Sequence, residues 1–460
     1  MSTQTRLHVA KFGGTSLADH AAMQRCANVV LNDSFIKVVV VSASSGVTNY
    51  LVQLANRQTE THEQADIIES IKAVQLEIIN KLNDPSKVIK TVLAILDNLQ
   101  HAVTELNNLY SNKAVDEILS FGEQMSSVIF SQVLNESAAL RGLSQGYARA
   151  FDVRAVMRTD SNFGHAQPQI DEIAQLSNEL LAPLLSTQVI VAQGFIGSDK
   201  FGNTTTLGRG GSDYSAALLS EALGANEVQI WTDVPGIYTT DPRITGHAKP
   251  MLELSFNEAA ELATFGAKVL HPATILPAAR ANIDVFVGSS VNPELGGTWI
   301  KKQPSAPGIR AIALRENQTL LTVSSPAMLH ASGFLARVFA ILAKHDLSVD
   351  LITTSEISVA LTIDKAPNEH VAVISEECLA ELSDFCSVKV ETDLALVAAI
   401  GNHSITETGN DSARKLFQSL SSHPLRMICH GASIHNICFL VHQRNAKSVV
   451  QSIHDDVFSL

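Results

Sequence analysis

Short apolar segments rich in β-branched residues recur along the first half of the chain. Examples are Leu7–Phe12, Val38–Val41, Val189–Ala192 and Val228–Trp231. Each is too short for a helix and runs into a loop of small or polar residues, beyond which apolar positions return with helical spacing. This alternation predicts an α/β fold on a parallel sheet, in which ligands bind beyond the carboxyl ends of the strands.

The stretch between residues 53 and 140 has a different pattern, with a helical period throughout and many Glu, Gln, Leu, Ile and Asn residues. Within it, Ser120-Phe121-Gly122-Glu123 places a glycine and a lone acid in an apolar-periodic run, so we expect an interruption of the helix there. Residues 296–308 contain several Pro and Gly residues and predict a linker. The first domain is therefore expected to span residues 1–295.

Beyond the linker the elements become short and alternate in the order βαββαβ, which is typical of a ferredoxin-like unit. A second copy follows, but the chain ends before its last strand. One strand, Ile309–Leu314, is left over before the first copy, and we expect it to complete the second. The first ferredoxin-like module, residues 318–393, would then be inserted into a second ferredoxin-like module made of residues 309–317 and 394–460.

Composition narrows the classes of protein to consider. The chain has 460 residues, enough for two or three domains, and its formal net charge of −13 disfavours nucleic acid or anionic membranes as partners. We expect no signal segment and no membrane span, because no apolar run reaches roughly 18 residues. The five cysteines are scattered, form no CxxC pair and are expected to be reduced core residues of a cytoplasmic protein. No His/Cys cluster predicts a metal site.

The segment Thr204–Ser215 combines hydroxyl side chains, three glycines, Arg209 and Asp213 directly before an apolar run. Glycines allow the backbone to approach a ligand, and the start of a helix favours an anion. Arg209 adds a planar fork that suits a carboxylate or a phosphate, whereas Asp213 must serve a cation. A flexible surface loop is the alternative, and the density of polar side chains argues against it.

Positive charge collects at the same predicted sheet edge. Lys11, Arg209 and Lys268 lie on three loops that we place there, as phosphoryl transfer requires. The chain lacks the G-x-x-x-x-G-K-[ST] motif of P-loop enzymes, and no G-x-G-x-x-G follows the first strand. These absences disfavour a P-loop enzyme and a dinucleotide site.

Several motifs together resemble those of the aspartokinase family within the amino-acid kinase fold. They span most of the chain, and the tandem small units are similar to the paired ACT modules of that family. Met328-Leu329-His330 and Val349–Glu356 resemble the lysine-sensitive, monofunctional branch. The other matching motifs are Lys11–Ser16, Ser120–Glu123, Gly208–Asp213, Trp231–Arg243 and Phe265–Pro272.

The resemblance implies a three-layer α/β/α amino-acid kinase (carbamate kinase-like) domain followed by two ferredoxin-like ACT domains. It also implies a cytoplasmic enzyme that uses MgATP to phosphorylate the side-chain carboxylate of L-aspartate, as the first step towards lysine, threonine and methionine. Transferred position by position, it assigns catalysis to Lys11 and Asp213. It assigns the amino-acid substrate to Ser42, Thr48, Glu123, Arg209 and Ser212, and the nucleotide to Lys11, Gly13, Gly14, Thr232, Asp233, Tyr238, Arg243 and Lys268.

The resemblance further implies a homodimer, or a dimer of dimers, formed through the ACT domains and inhibited by free L-lysine. The residues expected around lysine are Met328, Ser348, Val349, Asp350, Thr354, Ser355 and Glu356. An acid is needed for the ε-ammonium of lysine, and a helix start near Gly333 can supply N–H donors to its carboxylate.

Two other functions stay open at this point. The chain could phosphorylate another small carboxylate such as glutamate, because loops do not reveal the length of the substrate. It could also be an inactive amino-acid sensor, although the presence of Lys11, Asp213 and Lys268 argues against that. Individual residues have simpler explanations too, since Glu123 could be an exposed acid and Asp241 a turn former.

Overall fold

The computed structural model describes residues 6–56, 59–265, 270, 272–302, 308–329, 332–364, 371–403 and 410–458. It divides into two compact units. The first contains Met1–Ile237, Pro250–Ala259 and Val269–Gln303, and the second contains Tyr238–Lys249, Ala260–Lys268 and Pro304–Leu460.

The first unit is built on an eight-stranded sheet in which most neighbouring strands are parallel. Its strand order is β3-β4-β2-β1-β7-β9-β10-β8, and a separate two-stranded hairpin is formed by β5 and β6. The strands are β1 (His8–Phe12), β2 (Ile36–Val41), β3 (Ala148–Phe151), β4 (Val189–Gln193), β5 (Ile196–Ser198), β6 (Thr204–Thr206), β7 (Glu227–Thr232), β8 (Glu253–Ser255), β9 (Asp284–Ser289) and β10 (Gly297–Lys301).

Helices cover both faces of this sheet, as the alternation of strands and helices predicts. The region from 53 to 140 is helical, as expected. The α-helices in this part of the chain are α1 (His20–Asn32), α2 (Val47–Ala55), α3 (Thr61–Ile79), α4 (Ser86–Asn108), α5 (Asn112–Leu140), α6 (Ile170–Leu176), α7 (Gly211–Ala222), α8 (Phe256–Thr264) and α9 (Pro272–Ala281). The residues of α8 from Ala260 onward belong to the second unit.

Successive strand residues point to opposite faces, which divides the core into two layers. On one face, Val39 and Val41 join a large buried cluster with residues of α1 to α5. Val38 and Val40 are equally buried on the other face, where α7 packs against β1 and β2. Polar side chains set where helices begin: Asp19 accepts from the Ala22 N–H at the start of α1, and Ser111 does the same for Ala114 in α5.

The prediction of a linker over residues 296–308 is wrong for its first part. Gly297–Lys301 forms β10, which pairs antiparallel with β9 and parallel with β8. Thr298 and Ile300 alternate into the core and are fully buried. Gly296 and Gly297 lie at the start of this strand, and its other residues include no Pro or Gly. Residues 303–307 lie outside the described residues.

The second unit contains a six-stranded sheet in the order β12-β13-β11-β14-β16-β15. Its two hydrophobic clusters each combine one half of the sheet with helices. The strands are β11 (Gly308–Ser324), β12 (Val349–Thr354), β13 (Ser358–Ile363), β14 (Ser387–Asn402), β15 (Met427–His430) and β16 (Asn436–His442), and the helices are α10 (Phe334–Lys344), α11 (Glu376–Ser383), α12 (Asn410–Ser419) and α13 (Gln443–Phe458).

Two long strands run through both halves of this sheet. The pattern predicts separate strands at Ile309–Leu314 and Gln318–Val323, whereas β11 is continuous across them. Its first part pairs with the second part of β14, from Gly308 opposite Asn402 to Arg315 opposite Leu396. Residues 308–315 thus pair with residues 396–402, which is the pairing on which the insertion hypothesis depends.

Both long strands change direction at a residue with left-handed backbone. Asn317 has φ 61° and Asp393 has φ 57°, and the register of the β11–β14 pairing shifts beside Asn317. Asn and Asp tolerate this conformation better than other non-glycine residues. The Asn317 backbone N–H also donates to Gln443 Oε1 at 2.9 Å, and Gln443 Nε2 donates to Asn317 Oδ1 at 2.8 Å. The bend allows one strand to serve two modules.

Among the residues that the structure describes, no helix is both long enough and apolar enough to cross a bilayer.

We expect Asn317→Val to destabilise the protein. A β-branched side chain in left-handed backbone costs about 1–2 kcal/mol, and the hydrogen bond that Gln443 Nε2 donates to Asn317 Oδ1 is lost as well. Asn317→Gly is the matched control, because it loses the same side-chain hydrogen bond but accepts the positive φ. Thermal unfolding should give a clearly lower Tm for the valine variant than for the glycine variant. Equal Tm values would show that the bend imposes no such constraint.

Candidate active site

The loops after four neighbouring strands begin at one edge of the first sheet. The N–H of Gly13 donates to the Trp231 carbonyl at 3.2 Å, and the N–H of Ser42 donates to the Phe12 carbonyl at 3.2 Å. The N–H of Gly194 donates to the Val41 carbonyl at 2.9 Å. The ends of β1, β2, β4 and β7 are therefore held side by side, at the carboxyl edge where the sequence predicts a ligand site.

At this edge an ion pair joins the first strand to α7. Lys11 Nζ lies 2.5 Å from Asp213 Oδ1, and the two side chains are 12% and 15% exposed. Asp213 lies in the first turn of α7, where the helix dipole favours an acid. The aspartate that is unexpected in an anion-binding loop thus holds the ammonium group of a lysine.

Arg209 lies at the tip of the loop between β6 and α7. Gly208 and Gly210 on either side of it both have φ 76°. A Cβ at Gly208 would lie 2.5 Å from His165 Nδ1, so this loop follows a path that requires glycine. Arg209 itself is exposed. Its guanidinium is therefore presented outward by a constrained backbone.

The expected interruption of the helix at Gly122 is wrong, because α5 runs without a break from Asn112 to Leu140. The glycine has another role. A Cβ there would lie 2.6 Å from Ala43 Cβ and 3.1 Å from Leu51 Cδ1. Gly122 therefore allows α5 to pack closely on the loop between β2 and α2, and it brings Glu123 to that loop.

Glu123 is buried, with only 5% of its surface exposed, so the alternative of an exposed acid is wrong. Its Oε1 accepts from the Ala43 N–H at 3.1 Å. Burial raises the pKa of Glu123 to about 8, although this hydrogen bond and the nearby charge of Lys11 oppose the shift. A carboxyl held in this way is ready to accept a cation, which would restore its ionised form.

Asp116, which no sequence motif singles out, joins α5 to β6 and to the loop around Gly164. Its carboxylate accepts from the Thr206 N–H at 2.9 Å, the Thr206 hydroxyl at 2.8 Å and the Gly164 N–H at 2.9 Å. Burial raises the pKa of Asp116 despite these bonds. The only available signal was its position seven residues before Glu123, which places both acids on one face of a helix.

The remaining predicted substrate residues lie around the same edge. Ser212 is buried at the start of α7, and a Cβ at Gly194 would lie 2.6 Å from its Cβ. Ser42 is half-buried after β2, and Thr48 is exposed in the first turn of α2. At Gly14 a Cβ would lie 3.0 Å from the Ala43 carbonyl oxygen, so the two small-residue loops run in close contact.

The predicted nucleotide residues are divided between the two units. Gly13, Thr232 and Asp233 belong to the first, and the Thr232 hydroxyl donates to Asp233 at 3.0 Å. Tyr238 and Arg243 belong to the second. Lys268 lies outside the described residues.

The segment Tyr238–Lys249 is bound to the ferredoxin-like part of the second unit. The Ile312 N–H donates to the Thr239 carbonyl at 2.7 Å, and the Thr239 hydroxyl lies 2.9 Å from His454 Nε2 in α13. Arg243 holds Asp241 through both carboxylate oxygens, with Nη2 at 2.6 Å. This pairing favours the interpretation of Asp241 as a residue that shapes the turn.

The predicted effector residues lie near the β12–β13 hairpin and beside α10. Asp350 is already engaged in an ion pair with Arg315, whose guanidinium also lies 3.6 Å from Asp364. Ser355 closes the hairpin, with its hydroxyl 2.7 Å from that of Ser358. α10 begins at Phe334 after Gly333, as expected. Of the others, Val349 and Thr354 lie in β12, Met328 ends a short 3₁₀ turn, Ser348 directly precedes β12 and Glu356 is exposed in the hairpin turn.

Comparison with known proteins decides the family. The model of the amino acid kinase family matches residues 6–289, and an ACT domain model matches residues 321–373 and 397–457. Lysine-sensitive aspartokinase 3 of Escherichia coli is 50% identical over 98% of this chain and 99% of its own length. The chain belongs to the aspartokinase family. Aspartokinase 1 of Arabidopsis thaliana is 33% identical over 98% of the chain.

Solved structures of a relative support the same assignment. Aspartokinase III of E. coli in complex with lysine and aspartate (T-state) has 49% identity and a TM-score of 0.83 over 98% of this chain and all of its own. The same enzyme in complex with aspartate and ADP (R-state) has a TM-score of 0.85 over 99% of this chain. The expected aspartokinase fold, a kinase domain with ACT domains, is confirmed.

The raised pKa of Glu123 predicts how stability depends on pH. The ordinary value of 4.5 applies in the unfolded chain and about 8 in the folded one, so the folded state binds more protons between these values. The contribution of Glu123 to the free energy of unfolding is therefore fully present at low pH and is lost as pH rises towards 8. Glu123→Gln removes the ionisable group, and we expect it to raise the Tm of the ligand-free enzyme by several degrees at pH 8.5.

The same variant should have almost no advantage at pH 5, where Glu123 is protonated in the folded state. Glu105→Gln, a matched change at an exposed acid of α4, should leave Tm unaltered at both values. A Glu123→Gln variant with the same Tm as the parent enzyme at pH 8.5 would contradict this account of the buried carboxyl.

Proposed function

We propose that this chain transfers the γ-phosphoryl group of ATP to the side-chain carboxylate of L-aspartate, giving 4-phospho-L-aspartate. The observation that carries the proposal is the Lys11–Asp213 ion pair at the carboxyl edge of the sheet, with the buried Glu123 near the Lys11 charge. Family membership supports the same reaction, since the relatives at 33–50% identity are named aspartokinases.

The chemistry requires charge stabilisation more than acid–base catalysis. The attacking carboxylate has an ordinary pKa of about 4 and is ionised at neutral pH, so no general base is needed. Negative charge on the transferred phosphoryl group must be neutralised instead. Lys11 supplies that charge from a strand, and Asp213 fixes its ammonium in position. Both belong to the first unit and are mostly buried.

The amino-acid substrate carries two groups that must be recognised apart from the reacting carboxylate. Arg209 suits the α-carboxylate, because a guanidinium can bind a carboxylate through two hydrogen bonds and this residue is exposed. Glu123 suits the α-ammonium, because its buried carboxyl is stabilised by ionisation next to a cation. Ser42, Thr48 and Ser212 add hydroxyl groups around the same loops.

ATP is proposed to bind with Mg²⁺ as one substrate. Gly13 and Gly14 lie beside Lys11, and the Gly14 N–H is proposed to face a phosphate oxygen, because the Gly13 N–H donates to the Trp231 carbonyl. Thr232 and Asp233 lie at the end of β7, and Tyr238, Arg243 and Lys268 complete the proposed nucleotide set. The ADP complex of the E. coli relative supports a nucleotide as the donor.

The test is a hydroxamate assay, in which hydroxylamine traps the acyl phosphate formed from MgATP and an amino acid. We expect product from aspartate and none from glutamate. Lys11→Ala should lower kcat by about 10²–10³-fold, the cost of removing one stabilising group from a transition state, with a smaller change in KM. Lys90→Ala, at an exposed lysine of α4, is the matched control and should retain kcat.

Other outcomes would favour the alternatives. Product from glutamate would indicate a kinase for the longer acid, and no product from either would indicate an amino-acid sensor. An unchanged kcat in Lys11→Ala would overturn the assignment of the ion pair.

We also propose that free L-lysine inhibits the enzyme by binding to the ACT module that contains α10 and β12. Support comes from the relative at 50% identity, which is named lysine-sensitive, and from Asp350, a half-buried acid on β12. An arriving ε-ammonium shares the Asp350 carboxylate with Arg315 or displaces it. Met328, Ser348, Val349, Thr354, Ser355 and Glu356 are the other residues proposed for this site.

Asp350→Asn should weaken lysine inhibition. A hydrogen bond to a charged group contributes about 1.5–3 kcal/mol, so the lysine concentration for half inhibition should rise by about tenfold or more. Asp346→Asn, an equivalent change at an exposed acid just before β12, should keep the inhibition of the parent enzyme. Equal inhibition of both variants would exclude Asp350 from the effector site.

A homodimer formed through the ACT modules and a cytoplasmic location complete the proposal. The location is supported by the five cysteines, all of which are free thiols in the structure.

A further inference from the structure

Two of the five free thiols face each other across a pair of strands. Cys429 in β15 and Cys438 in β16 are directly opposite in antiparallel register. Opposed residues of antiparallel strands have Cα atoms about 4.5–5.5 Å apart and project from the same face. This spacing lies within the roughly 4.4–6.8 Å that a disulfide requires. The backbone therefore already has the separation that a disulfide needs.

The two thiols differ in accessibility. Cys438 is fully buried, and burial together with the nearby Cys429 raises the pKa of its thiol. Cys429 is only half-buried. The pair therefore combines one thiol within reach of a small oxidant with one that is protected until its neighbour has reacted.

The pair lies beside residues of the proposed lysine site. Cys429 Sγ is 3.0 Å from the hydroxyl of Thr353, which lies in β12 three residues after Asp350. The charges of Asp350 and Arg315 also act on the Cys438 thiol. β12 and β15 are the two ends of the six-stranded order, so the Thr353–Cys429 contact joins opposite edges of one sheet.

We propose that Cys429 and Cys438 form a reversible oxidation site, whose disulfide weakens the binding of lysine to the ACT module. The part of this inference that concerns lysine rests on the proposed function, whereas the formation of the disulfide does not.

The oxidant is a peroxide. The Cys429 thiolate attacks one oxygen of hydrogen peroxide, the O–O bond breaks, and a sulfenic acid and hydroxide form. The Cys438 sulfur then attacks the Cys429 sulfur, the S–S bond forms, and the sulfenic oxygen leaves as water. In sum, two thiols lose two electrons to one peroxide and two waters are produced. A dithiol reductant reverses the change by thiol–disulfide exchange.

The disulfide changes the contact with β12. A bond to Cys438 removes the thiol hydrogen that Cys429 donates to the Ile352 carbonyl at 3.9 Å. It also turns the sulfur towards β16, so the contact of this sulfur with the Thr353 hydroxyl is weakened. Thr353 is the neighbour of Thr354, one of the residues proposed to surround lysine. Oxidation therefore loosens one side of the lysine site and leaves the residues of the first unit untouched.

The first test requires no enzyme activity. The full chain is treated with hydrogen peroxide, remaining thiols are blocked, and peptides are analysed by mass spectrometry without reduction. We expect a linked Cys429–Cys438 peptide and the loss of two of the five thiols. Cys386→Ser, at a half-buried thiol hydrogen-bonded to the Leu382 carbonyl, is the matched control and should still form the link. Cys429→Ser and Cys438→Ala should not. Absence of the linked peptide in the parent chain would overturn the proposal.

The second test compares lysine inhibition before and after oxidation. We expect the half-inhibiting lysine concentration to rise by about threefold or more after oxidation, which is the effect of losing one neutral hydrogen bond. Dithiothreitol should restore the original concentration. Cys386→Ser should respond in the same way, and Cys429→Ser should not respond to peroxide. A linked enzyme with unchanged lysine inhibition would overturn the regulatory role. If lysine does not inhibit the reduced enzyme at all, the proposed effector is wrong. The mass spectrometric result still shows whether Cys429 and Cys438 form a disulfide.

Discussion

The contact between the Lys11 ammonium and the Asp213 carboxylate is the interaction on which the first unit is centred. It joins the central strand of the sheet to the first turn of α7, and both side chains are mostly withdrawn from water. Removing a charged pair from water is costly unless each charge is compensated, so neither residue can be replaced alone without leaving an unpaired charge. Gly13 lies beside this pair, since a Cβ there would be 3.6 Å from Lys11 Nζ.

Helix α5 carries two buried acids with different tasks. Asp116 receives three hydrogen bonds and ties β6 to the loop around Gly164. Glu123 accepts a hydrogen bond from the Ala43 N–H, and burial raises the pKa of its carboxyl. An acid with all its hydrogen bonds made inside the protein acts as an anchor. A buried acid that can accept further hydrogen bonds is suited to a ligand, and its burial lowers the stability of the protein at high pH.

The second unit includes more than the regulatory modules. The segment Tyr238–Lys249, which follows β7 in sequence, is hydrogen-bonded to β11 and α13. Two of the residues proposed for the nucleotide therefore belong to the same compact body as the ACT modules. Within that body, β11 and β14 each serve both modules, so a change at the β12–β15 contact acts on a sheet that the two modules share.

The sequence by itself determined the parallel α/β core, the ferredoxin-like repeats and the motifs that place the chain among the aspartokinases, because strand and helix periods and glycine-rich loops are local properties. Lys11 and Asp213 could be singled out in the same way. Local patterns misled where burial overrode them. Gly122 was expected to break a helix, but it serves close packing, and Gly297–Lys301 was expected to be a linker, but neighbouring strands complete its hydrogen bonds. Only the tertiary structure decided that Asp116 is an anchor, that Asp350 is held by Arg315 and that Cys429 faces Cys438. Each of these depends on partners far away in the chain, which no local pattern records.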